Sequence, residues 1–100
     1  MTQLEDAIKI VHQRREFCNS QKVLLKKEID KLPKGTIQEK TIKNNIYYYL
    51  QYRKRGKITH DYLGKEFPAD LDKQIKKRKR LEAKLRPINE ELKILRKMKV

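Results

Sequence analysis

Apolar residues recur every seven positions through the first third of the chain, at Leu4, Val11, Cys18, Leu25 and Leu32. A spacing of seven keeps them on one helical face. Ile8 and Ile29 widen that face on one side, and Ile10, Phe17 and Leu24 repeat the period on the other. The resulting band is broader than a two-stranded seam requires, so it predicts more than one partner element. Nothing between Thr2 and Lys31 breaks a helix. Thr2 with Glu5 three residues on forms a capping box, and Leu32-Pro33 followed by Gly35 stops the helix, which sets helix 1 at residues 2–32.

A second helical stripe runs through Leu71, Ile75, Leu81, Leu85, Ile88, Leu92 and Leu95, with Arg78 filling its one polar step. Pro68 near the first turn and the acids Asp70 and Asp72 suit the positive end of the helix dipole. Helix 2 is therefore expected over 68–98. Pro87 lies inside the pattern, removes a hydrogen bond to Ala83 and predicts a kink or a break near Arg86. Each helix of about 30 residues would be roughly 45 Å long, and equal lengths suit antiparallel packing.

Between the helices, residues 35–64 change to strand character. Thr36 to Ile42, Ile46 to Arg53 and Lys57 to Leu63 read as an antiparallel meander, with a first turn at Lys43-Asn44-Asn45. Lys54-Arg55-Gly56 reads as a three-residue loop with Gly56 left-handed. That loop sets Tyr52 opposite Ile58, Leu50 opposite His60 and Tyr48 opposite Tyr62, so Ile46, Tyr48, Leu50, Tyr52, Ile58, His60 and Tyr62 share one face, packed on the helix ends. Tyr47, Tyr49, Gln51, Arg53, Lys57, Thr59 and Asp61 take the other face. The first strand's register stays open, because either parity turns one of Ile37 and Ile42 outward. The expected fold is α+β in the order α-β-β-β-α: a long, coiled-coil-like antiparallel helical hairpin with a three-stranded antiparallel meander at its tip, in a single domain over 1–100.

Charge narrows the partners. The 100 residues hold 27 Lys plus Arg against 13 Asp plus Glu, a formal net charge of +14, which attracts polyanions such as DNA, RNA or an acidic protein surface. Residues 68–100 carry 12 basic against 5 acidic residues, while residues 2–32 carry 7 against 5, so the basic surface belongs to the sheet and the second helix. No apolar run approaches the roughly 20 residues that span a bilayer, and MTQLEDAIKIVHQ lacks the pattern of a signal peptide. The expected location is a bacterial host cytoplasm, with no membrane partner. Cys18 is the one cysteine, so an internal disulfide and a cysteine-based zinc cluster are excluded, and its place on the apolar stripe marks a small core residue.

Candidate chemistry points to binding rather than catalysis. His12 and His60 lie on different elements with no acid or nucleophile placed near either, and no cofactor or metal is expected. Tyr47, Tyr49, Arg53 and Lys57, extended by Lys54 and Arg55 at the hairpin tip, combine flat rings with cations that stack on bases and hold phosphates. The competing reading packs this second aromatic row against another copy or a helix flank. Lys76, Lys77, Arg78, Lys79 and Arg80 form a basic run; it is a phosphate-binding surface in one reading and a solvated, solubilising face in the other.

The string IYYYLQYRKRGKITHDYLGKE, through Tyr47, Tyr48, Tyr49, Tyr52, Arg53, Gly56, Lys57, Tyr62, Leu63 and Gly64, is similar to a hairpin of small uncharacterised bacterial and phage proteins. It also resembles N-terminal regions of some insertion-sequence transposases. With the LPKGT lead-in and the following basic helix containing LEAKL, the resemblance covers about 65 residues. It implies a nucleic-acid-associated accessory region and no enzyme activity, since the catalytic acids of a transposase have no counterpart here. Three functions follow as expectations: a small, basic phage or mobile-element protein that binds DNA or RNA; a phage-encoded, anti-CRISPR-like inhibitor that occupies the guide-RNA or nucleic-acid channel of a host nucleoprotein nuclease; and a structural homo-oligomer. The wide apolar band adds a homodimer through helix 1.

Overall fold

The computed structural model describes residues 3–98, in the order α1 (Gln3–Asp30), β1 (Thr36–Ile42), β2 (Asn45–Lys54), β3 (Lys57–Gly64) and α2 (Ala69–Lys97). The α+β class and the α-β-β-β-α order are those expected. Thr2, assigned the helix 1 cap, lies outside the described residues. The chain divides into two compact units, one formed by α1 with residue 80 onward of α2, the other by residues 32–79.

In the first unit the two helices run antiparallel, with Arg14 meeting Glu91 and Arg15 meeting Leu95. Their shared core is Cys18, Leu92 and Leu95, flanked by Val11 and Ile88. Cys18 is 1% exposed, as its place on the stripe requires. Beside it Arg14 grips Glu91 through Nε and Nη2 at 2.6 and 2.9 Å, while the Cys18 thiol donates to the same carboxylate at 3.4 Å. Burial, followed by that hydrogen bond, pushes the Cys18 thiol up from its ordinary pKa. The Arg14 guanidinium holds the Glu91 carboxyl below its usual range. The Arg15 guanidinium donates to the carbonyls of Leu95 and Met98, which sets a cation at the negative end of the α2 dipole.

Helix α2 passes through Pro87 without a break. Both Pro87 and Ala83, whose carbonyl loses its donor, are exposed, so the loss falls on the solvent side of the helix. Helix α1 ends at Asp30, two residues before the expected stop, because Leu32 precedes a proline and is pushed out of helical conformation.

In the second unit the sheet has the order β1-β2-β3, all antiparallel. Both connections are two-residue turns: Lys43 and Asn44 have φ of 51° and 66°, and Arg55 and Gly56 have φ of 52° and 79°. Positive φ at both central positions gives the turn whose twist matches the flanking strands. The three-residue loops expected at both turns are therefore corrected. Asn45 opens β2 opposite Ile42, and Lys54 pairs with Lys57. One residue fewer in the second loop shifts β3 by one position, which turns its side chains from Lys57 to Tyr62 to the opposite face, up to an irregularity in the ladder at Tyr48 and Tyr49.

The face of Ile37, Glu39, Tyr48, Leu50 and Tyr52 accordingly holds Thr59 and Asp61, where Ile58, His60 and Tyr62 were expected. This face is the packed one. The Tyr48 ring meets Phe67 edge-on at 5.6 Å, and Ile37, Glu39 and Tyr48 line a cleft of about 310 Å³ whose other wall is Phe67, Asp72 and Ile75. The Tyr52 hydroxyl donates to Asp61, and that bond raises the tyrosine's pKa. Gly35 lies where β1 begins, at φ 129°, and an added Cβ would stand 2.6 Å from the Gln51 carbonyl oxygen and 2.8 Å from Leu50 Cδ1. The open parity of β1 is decided with Ile37 inward, opposite Leu50, and Ile42 outward.

Candidate functional site

The other face of the sheet begins from strand alternation: β2 places Tyr47, Tyr49, Gln51 and Arg53 on one side, and the register adds Tyr62, His60 and Ile58 from β3 and Gln38 and Lys40 from β1. Tyr62 is 57% exposed and lies between two rings of β2, with centroids 6.2 Å from Tyr47 and 5.4 Å from Tyr49. Each ring pair is tilted by a little over 50°, an arrangement that avoids a face-to-face sandwich. Cations flank the row at both ends. The Lys40 ammonium lies 4.8 Å from the Tyr49 centroid, and the Lys65 ammonium 5.7 Å from that of Tyr47.

Acidic residues are sorted by the same alternation. The strands hold two, Glu39 and Asp61, and both fall on the Tyr48 and Leu50 face. The tyrosine face thus has three rings and no strand carboxylate. Its electrostatics come from Lys40, Arg53 and Lys65.

Of the residues expected to bind nucleic acid, Tyr47, Tyr49 and Arg53 meet on this face, and Arg55 lies exposed at the hairpin tip. Lys54 and Lys57 pair with each other on the parity of Tyr52, so Lys57 leaves the face to which it was assigned. Tyr62, Lys40 and Lys65 were missed. Reading Arg55-Gly56 as a two-residue turn would have found Tyr62, because that reading sets it opposite Tyr49.

The basic run on α2 divides as well. Lys76, Lys77 and Lys79 are exposed in the unit that holds the sheet, and Arg80 is exposed where α2 enters the helical unit. Lys76 pairs with Asp72 one turn earlier at 2.9 Å. Arg78 is 8% exposed, and its Nη1 donates to the Leu32 carbonyl at 2.6 Å, just beyond the end of α1. Its assignment to a binding surface is corrected: Arg78 is a structural cation, placed inward by the stripe it interrupts. Within this unit Lys76 and Lys79 line the cleft on the Tyr48 side of the sheet, across the sheet from the tyrosine row.

Among the described residues no helix is long and apolar enough to cross a membrane. No group of three or more His, Cys, Asp or Glu among them could hold a metal ion. No curated protein and no solved structure matches the chain. A match to a family described as a domain of unknown function, DUF6788, covers residues 3–73, from the start of α1 through the whole sheet to the first turns of α2. With most of its length matched, the tyrosine face included, the chain belongs to the DUF6788 family.

Proposed function

We propose that the protein binds nucleic acid, without catalysis, through the tyrosine face of its sheet. The observation that carries this reading is the coincidence of three contacting rings, cations at both ends of the row and no strand carboxylate on that face. The exposed ring of Tyr62 and the half-buried rings of Tyr47 and Tyr49 offer π surfaces to bases, and ammonium groups beside them hold phosphates. The contacts of Lys40 and Lys65 with the rings do not block such binding. An exposed cation–π contact is worth about 0.5–1 kcal/mol, whereas stacking a base on an aromatic ring contributes about 1–3 kcal/mol, so the base displaces the ammonium toward a phosphate. The exposed lysines of α2 add attraction that is independent of sequence. The setting we propose is bacterial or phage, in the cytoplasm.

Titration of labelled DNA and RNA at several salt concentrations tests the reading. If about 4 to 6 phosphates are neutralised on duplex DNA, log affinity falls against log salt with a slope of about −4 to −5. Absence of binding at low salt sinks the proposal.

A second reading, compatible with the first, is a homodimer through α1. Ile10, Phe17 and Leu24 are 64%, 51% and 58% exposed, an apolar row on a helix whose other face already packs against α2. Such a row marks an interface.

A further inference from the structure

Resting on the nucleic-acid reading, we infer that the tyrosine face takes single-stranded DNA or RNA and rejects the base-paired duplex. The argument begins with the pitch of the rings. Tyr47 and Tyr49 are two residues apart on one strand, which separates their attachment points by about 6.7 Å along β2. Bases in a duplex step by about 3.4 Å along each strand, half that pitch. A base reaches each ring only from a strand whose bases have come apart.

Access gives the same answer. In a duplex the π-faces of the bases are covered by their neighbours, and only edges are offered in the grooves. Reading edges requires donors and acceptors that project. Here the centre of the face is three rings lying against one another, with Tyr62 of β3 between the two of β2, and the cations stand at the ends of the row. Such a platform suits bases laid flat, with Lys40 and Lys65 set to meet the phosphates as the strand enters and leaves.

Intrinsic fluorescence provides the readout, because the chain has no tryptophan and its five tyrosines all lie in β2 and β3, three of them on this face. The full chain is titrated with a single-stranded oligonucleotide, as DNA and as RNA, and with the blunt duplex of the same sequence. Single strands are expected to bind about tenfold or more tighter than the duplex and to quench tyrosine emission, as ring stacking requires. Tyr62→Thr, which keeps a strand-forming residue at an exposed position, should weaken single-strand binding roughly 5- to 100-fold and so narrow its margin over the duplex. Tyr62→Phe should restore it. Equal affinity for duplex and single strand, with unchanged emission and no effect of Tyr62→Thr, overturns the inference and leaves nucleic-acid binding standing. Failure of every nucleic acid to bind at low salt overturns both.

Discussion

Tyr49 stands directly across the β2–β3 ladder from Tyr62, their ring centroids 5.4 Å apart. This pairing follows from the two-residue turn at Arg55 and Gly56, and it separates a ring-bearing outer face from the packed face of Tyr48 and Leu50. Leu50→Ala should cost about 1–3 kcal/mol, somewhat below a fully buried leucine because Leu50 is half-buried. Tyr62→Ala, losing one cross-strand contact at an exposed site, should cost about 1 kcal/mol or less. Denaturant melts of the two variants check the order.

Gly35 and Gly56, both at positive φ, should respond differently to a methyl group. At Gly35 the added Cβ meets the Gln51 backbone oxygen at 2.6 Å, and φ is 129°. Gly35→Ala therefore combines about 1–3 kcal/mol of backbone strain with a clash that only a shift of β2 relieves. At Gly56 nothing lies within 4 Å, so Gly56→Ala pays only for left-handed φ, about 1–2 kcal/mol. Thermal melts should place Gly35→Ala well below Gly56→Ala.

Arg78 and Lys77 are neighbours with opposite roles. Arg78→Ala removes a charged donor from the Leu32 carbonyl and should cost about 1.5–3 kcal/mol. Lys77→Ala changes an exposed site and should stay within about 0.5 kcal/mol. Their effects on binding reverse: Lys77→Ala should weaken low-salt affinity for nucleic acid, and Arg78→Ala, measured where it is folded, should not.

The Arg14–Glu91 pair predicts a pH dependence. The hydrogen bond from Arg14 lowers the Glu91 pKa in the folded state, so the unfolded chain binds this proton more readily. The pair's stabilisation is complete above the usual glutamate range and is lost as pH falls through the lowered folded value. Melting temperature of the native protein should therefore drop toward that of Glu91→Gln on acidification. A constant gap between the two across the acid range would place the effect elsewhere.

The exposed row on α1 predicts self-association that a charge abolishes. Sedimentation at micromolar concentration should show a dimer, and Phe17→Glu should give a folded monomer whose melt no longer depends on protein concentration. A monomeric native chain would mean that the row serves another partner or none.

By itself the sequence determined the elements, because each is a local property of spacing and of the residues that stop it. A period of seven marks α1, the stripe from Leu71 to Leu95 marks α2, and Pro33, Gly35 and Pro68 delimit the strands between them. Even the inward turn of Arg78 was written in the stripe it completes, although five basic residues in succession read more readily as one surface. What the tertiary structure alone decided is the pairing across the sheet. Two- and three-residue turns differ by one residue, and Lys54-Arg55-Gly56 admits either, yet that residue reverses the side chains of β3 from Lys57 to Tyr62. The choice was made by contacts distant in sequence: Tyr62 gains two rings, Asp61 gains the Tyr52 hydroxyl, and Ile58 and His60 are left to solvent. Those gains depend on where three strands and α2 meet, and no local pattern in the chain encodes that geometry.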